Sequence, residues 1–190
     1  MPTRDKRQRL VAAATDLSHR IGLSNASLAT IAEQAEVPIG NVYYYFKSKD
    51  ELAAAVVGTR REEYARLRAS WDDQSSDPVQ RLVSFVRHAR DGADLLSAQG
   101  CPVGGLCSDL ARTNAALGAE AGEIFAATID WAAHQYAALG HPGPGQAATR
   151  LVALVQGATV LSHALRDPEV LRAECVGAEQ ELQDLARTTG

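Results

Sequence analysis

The chain predicts an all-α fold of about nine helices, on three observations. Alanine, leucine, arginine and glutamate, all good helix formers, dominate it. Apolar residues recur every three or four positions, and no segment alternates as a half-buried strand does. Proline, glycine and Asp–Ser clusters interrupt that recurrence at intervals that leave helices of ordinary length. With 190 residues, 46% of them apolar, the chain can bury a substantial core.

The elements follow in order. Leu10, Ala13, Ala14, Leu17 and Ile21 form the stripe of a first helix, and Gly22 is its stop. Ser27 is placed to cap a second helix carrying Leu28, Ile31, Ala32 and Ala35. Thr30 stands where an acid would complete a capping box. Glu36-Val37-Pro38 ends that helix after two turns, and a third runs from Ile39 to Phe46. Ser48 caps a fourth, from Asp50 to about Trp71, with acids in its first turn. Asp77 and Pro78 open a fifth, with Leu82, Phe85, Val86, Ala89, Ala93 and Leu96 on one face. Gly100–Gly105 interrupts it. A short helix over about 106–112, a long one over about 115–139 and two more over 146–166 and 169–187 complete the chain.

Residues 27–46, a short helix, a tight turn and a second short helix, read as a helix-turn-helix. Val42 and Phe46 lie four apart and face the core with Leu17, Ile31 and Ala35. That turns Asn41, Tyr44 and Tyr45 outward and leaves Tyr43 at the edge. Gly40 leaves room for close backbone approach. Tyrosine hydroxyls bond phosphate, their rings touch sugars or thymine methyls, and Lys47 and Lys49 add charge alongside. Arg4, Lys6 and Arg7, ahead of the first helix, read as an arm on phosphate or in a minor groove.

Leu10…Ala13-Ala14…Leu17…Gly22…Ser27-Leu28-x-x-Ile31-Ala32-x-x-Ala35-x-Val37 and the run Pro38-Ile39-Gly40-Asn41-Val42-Tyr43-Tyr44-Tyr45-Phe46-x-Ser48-Lys49-x-x-Leu52 closely resemble the DNA-binding domain of the tetracycline-repressor (TetR) family. The resemblance covers the first quarter to third of the chain. It implies a three-helix DNA-binding domain over residues 1–49 and a ligand-binding and dimerisation domain over 50–190, with helix four (about 50–71) as linker. It implies a homodimeric, non-enzymatic repressor that a small-molecule effector releases from double-stranded operator DNA. The lack of an apolar span or signal-peptide core in the sequence predicts a cytoplasmic location. By matched position, Pro38, Ile39, Gly40, Asn41, Tyr43 and Tyr44 would contact bases or groove, and Ser27, Thr30, Tyr44 and Lys49 phosphate. Many members carry Ser-Lys in place of Pro38-Ile39 and His in place of Tyr45, so readout here leans on Tyr, Asn and apolar contact.

In the remainder, Leu151, Leu154, Val155, Ala158, Leu161 and Leu165 form a stripe expected at a dimer interface with the last helix. Val170, Leu171, Val176, Leu182 and Leu185 give that last helix its own stripe. Phe85, Phe125, Trp131 and Tyr136 are candidates to line a ligand pocket between helices. Cys101 joins them, because a thiol just before Pro102 at a helix start gains thiolate character. The alternatives are a redox- or electrophile-sensing repressor using Cys101, and a thiol enzyme on a helical scaffold. Against the enzyme, the sequence has no phosphate loop, metal cluster or nucleophile elbow.

Charge divides along the chain. Residues 1–70 carry 11 Lys and Arg against 8 Asp and Glu; residues 71–190 carry 8 against 15. A basic end on an acidic body suits a protein that touches phosphate with one part. No run of 18 apolar residues suggests a membrane span, and the charged first ten residues lack the apolar core of a signal peptide. Three cysteines, none in a Cys-x-x-Cys pair, and scattered histidines support neither a disulfide scaffold nor a metal cofactor.

Overall fold

The computed structural model describes residues 3–189, with the side chains of 6–185 and of Arg187. The described residues form ten helices and no strand: α1 (Thr3–Arg20), α2 (Leu28–Gln34), α3 (Ile39–Tyr45), α4 (Lys49–Gln74), α5 (Pro78–Asp91), α6 (Ala93–Gln99), α7 (Pro102–Thr113), α8 (Ala115–Ala138), α9 (Pro144–Leu165) and α10 (Pro168–Thr189). The expected fifth helix is thus two, because the backbone departs from helical geometry at Gly92 (φ −85°, ψ 5°). Glycine costs about 1 kcal/mol in a helix interior relative to alanine, which makes it a natural place to break. In the other direction, Gly104 and Gly105 lie inside α7, which starts at Pro102 rather than near 106. Val103 and Leu106, both buried, hold that first turn against the core and outweigh the two glycines.

Two compact units share the chain. The first is the chain up to Glu63 together with Pro102–Ile124. Leu10, Ala14, Leu17, Ile31, Val42 and Phe46 meet Leu52, Val56, Leu106 and Leu110 in one core. Ile21, assigned to this stripe from sequence, is instead exposed, because α1 ends one residue before it. Gly22 adopts φ +83°, a backbone conformation that demands glycine; a Cβ there would stand 2.8 Å from Asp109 Oδ2, the movable end of a side chain. The α7–α8 corner is equally close: a Cβ on Gly118 would fall 2.8 Å from Ala111 N. Asn114, between the two helices, accepts from Leu117 N–H (3.2 Å) and donates to Asp50 Oδ2 (3.0 Å).

The second unit is Tyr64–Cys101 with the chain from Phe125 onward. Its core packs α5, α9 and α10 through Leu82, Val86, Val155, Leu171, Cys175 and Leu182. The buried Glu179 carboxylate accepts from Arg87 Nε (2.9 Å) and Arg90 Nη1 (2.6 Å), fastening α10 to α5. Burial, chiefly, pushes the Cys175 thiol up to about 11. At the end of α6, Arg166 donates to Ala98 O (2.7 Å) and His163 Nδ1 lies 2.9 Å from Ser97 O, which satisfies two carbonyls left without helical partners. No described helix is long and apolar enough to cross a membrane.

Candidate nucleic-acid interface

The surface around α3 begins with the turn that sets it. Ser27 Oγ caps α2 by accepting from Thr30 N–H at 3.0 Å, and the two hydroxyls lie 2.8 Å apart. After Ala35, Glu36 takes a left-handed conformation (φ +49°) that a side chain rarely adopts. Arg9, on α1, holds it there: one Nη donates to Glu36 O (3.1 Å) and to its carboxylate (3.0 Å). Val37, buried, returns its N–H to Ala32 O at 2.9 Å, and Pro38 then caps α3. The sequence shows no sign of the Arg9–Glu36 contact, whose partners stand 27 residues apart.

Val42 and Phe46 are fully buried, and their inward direction fixes the outward face of α3. Ile39 and Tyr43 form one exposed row; Gly40 and Tyr44 form the next. Tyr43 is 57% exposed and Tyr44 69%, while nothing lies within 4 Å of a Cβ built on Gly40. Tyr43 therefore stands on the open face, not at its edge. Tyr45, expected outward, packs against the core and meets the Tyr44 ring edge-on at 5.0 Å. The reason is the helical period: Tyr45 lies three residues after buried Val42, and Tyr43 one after it. Asn41 is half-buried on the flank.

Beyond α3, Ser48 Oγ accepts from Glu51 N–H (3.1 Å) and Glu51 reaches back to Lys47 N–H (2.7 Å), so α4 starts on reciprocal caps. Lys49 donates to Ser24 O at 3.0 Å and Lys47 to Tyr43 O at 3.1 Å. Lys6 and Arg7 do not precede the first helix but belong to α1, and the Arg7 guanidinium lies 4.9 Å over the Phe46 ring. The Arg4 side chain lies outside the described residues. Ser27, Thr30, Pro38, Ile39, Gly40, Tyr43 and Tyr44 are all exposed and share this surface, with Asn41 and Lys49 partly exposed beside them.

The ligand candidates do not converge. Phe85 and Trp131 join a ring cluster centred on Trp71, at 5.7 and 5.2 Å from it. In the sequence, Trp71 marks only the end of a helix. His88 flanks Trp71 at 5.9 Å; burial lowers its pKa and Asp91 partly restores it. Trp131 Nε1 donates to Asp72 (3.0 Å), and Arg68, lowered by burial, donates to Thr128 (3.1 Å). Phe125 packs half-buried against the same core. Tyr136 instead lines a cleft of about 260 Å³ with His141, Arg150, Leu151, Glu181 and Leu185. Burial, with Glu181 adding to it, pushes its phenol up to about 12. Cys101 is half-buried just ahead of α7.

The interface stripe read from sequence also divides. Leu151, Val155 and Ala158 are buried in their own core, Leu154 is half-buried, and only Leu161 and Leu165 are exposed. The uncovered face of α9 is Ala153, Gly157, Val160, Leu161, Ala164 and Leu165. Val176 of α10, on the stripe that the sequence offers to the same interface, is exposed as well.

Residues 10–56 match the family model of the TetR bacterial regulatory proteins. Residues 78–174 match that of the C-terminal domain of LmrA/YxaF-like transcriptional regulators, which alone covers half the chain. The chain belongs to the TetR family. Among its relatives, the uncharacterized regulator YxaF of Bacillus subtilis is 30% identical over 109 residues, 56% of this chain and 57% of that protein. The repressor DhaR of a Mycobacterium species is 28% identical over 120 residues, 63% of this chain and 59% of its own length. The alignments thus span somewhat more than half of these relatives. A TetR regulator from Legionella pneumophila has the same fold, with a TM-score of 0.82 at 20% identity over 95% of this chain and 97% of that one.

Proposed function

We propose that this TetR-family chain is a cytoplasmic DNA-binding repressor that works as a homodimer and leaves its operator when a small molecule binds. The observation that carries the reading is the outward face of α3. Two tyrosines, an isoleucine and an open glycine stand on a helix whose other side is anchored by Val42 and Phe46. Aromatic and apolar groups so exposed on a seven-residue helix contribute nothing to folding, whereas a major groove accommodates such a helix. Residues 1–49 are the reading head in this proposal, 50–190 the ligand-binding and dimerising part.

Duplex DNA repeats its major groove about every 34–36 Å, so a symmetric regulator needs a second copy. The uncharged face of α9, with Val176 of α10, supports that role: Val160, Leu161 and Leu165 are each more than half exposed. Gly157, with open space around it, allows close helix approach. An effector releases DNA only by binding the DNA-incompetent state more tightly.

A gel-shift titration over a salt series, on genomic fragments the protein selects, tests the reading. Affinity should fall steeply with salt, and Tyr44→Ala with Lys49→Ala should abolish binding while leaving the thermal melt and dimer unchanged. Unaltered affinity in that double variant would overturn it.

A further inference from the structure

Resting on the DNA-binding reading above, we infer that α3 reads an A·T-rich half-site, through a thymine methyl against Ile39 and an adenine edge on Asn41, and does not read guanine. The helix Ile39–Tyr45 contains no charged residue. Guanine presents two acceptors, O6 and N7, in the major groove, and its usual partner is the paired donors of arginine or lysine. Lys47 and Lys49 follow α3 in the chain, and each ammonium is held by a backbone carbonyl, Tyr43 O and Ser24 O.

What the face does offer matches the other base pair. Ile39, nearly half exposed, presents a branched aliphatic group at the start of the helix, beside the open surface of Gly40. The thymine C5-methyl is the apolar feature of the groove edge. Asn41 carries a carboxamide with one donor and one acceptor, the complement of adenine N6 and N7. Among the described residues nothing hydrogen-bonds that carboxamide, while the Asn41 backbone N–H donates to Pro38 O at 2.8 Å. Tyr43 and Tyr44 flank these two and have hydroxyls for the phosphates on either side.

The test is selection of half-sites from a random duplex pool by the full chain, followed by replacing each thymine of the selected site with deoxyuridine. One replacement should weaken binding about fourfold, the worth of one buried methyl-sized group. That loss should vanish in Ile39→Ala. Asn41→Ala should lose between about fivefold and 100-fold of discrimination at one A·T pair. Ile39→Arg should shift the preferred base at its position to guanine. Ile39 is exposed and Asn41 half-buried, and unaltered thermal melts establish that all three variants fold. If the pairs governed by positions 39 and 41 are G·C, or deoxyuridine costs nothing anywhere, the inference fails and the DNA-binding reading stands. If no duplex is enriched, that reading fails and the inference falls with it.

Discussion

The helices α3 and α9 carry apolar residues on more than one side, yet they differ in how far their outward faces follow from sequence. In α3 only seven residues are involved, and two anchors, Val42 and Phe46, decide which way the rest point. The α9 helix spans twenty-two residues and is apolar on several sides, so two stripes compete for the core. The longer stripe by sequence, Leu151–Val155–Ala158, turns inward, while its continuation through Leu161 and Leu165 stays uncovered. A helix with one possible core face declares its surface; one with two does not.

The sharpest way to break the comparison is Phe46→Ala. Loss of this fully buried ring should cost about 3–5 kcal/mol in a denaturant titration, while Tyr44→Ala should stay within about 0.5 kcal/mol. Equal costs would mean that α3 is oriented by something other than its anchors.

On α9, Leu151→Ala should lower stability by about 2–3 kcal/mol, because its side chain is buried in its own chain. Leu161→Glu with Leu165→Glu should leave the melt of the isolated chain close to unchanged and convert dimer to monomer in analytical ultracentrifugation. A dimer that survives both glutamates would place the second copy elsewhere.

A smaller effect sits in α10. The raised Cys175 pKa means the fold favours the neutral thiol. Its contribution is complete below the unfolded value near 9 and is lost as pH rises through about 11. Stability should therefore fall by about 1–3 kcal/mol over that window, and Cys175→Ala should remove that part of the slope in melts taken from pH 8 to 11. Thiol labelling at neutral pH should correspondingly leave Cys175 untouched. Smallest is Glu36→Gly. It relieves a left-handed side chain worth about 1 kcal/mol and gives up an exposed ion pair worth about 0–1 kcal/mol. The melt should move by less than about 5 °C, upward if strain outweighs the Arg9 contact.

The legible part of this molecule was its local punctuation. Ser27, Gly22, Asp77 and Pro78 act through neighbours a few residues away, so their effects can be read in order along the chain. The misread parts depend on distant partners. Gly104 and Gly105 are helical because Val103 and Leu106 are buried on residues far away in sequence. Glu36 turns left-handed under Arg9, and Tyr45 tucks in where Tyr43 does not. Trp71, a helix-end marker in sequence, is the hub of an aromatic cluster because α5 and α8 bring Phe85 and Trp131 to it.

The corner between α7 and α8 has a mechanical consequence. With Gly118 backed against the Ala111 amide and Asn114 bonded on both sides, the pair lacks the slack for one helix to roll past the other. A push on α7 would therefore carry the head of α8 with it, as a lever hands on force, and a methyl at position 118, set against the Ala111 amide, would wedge that corner apart.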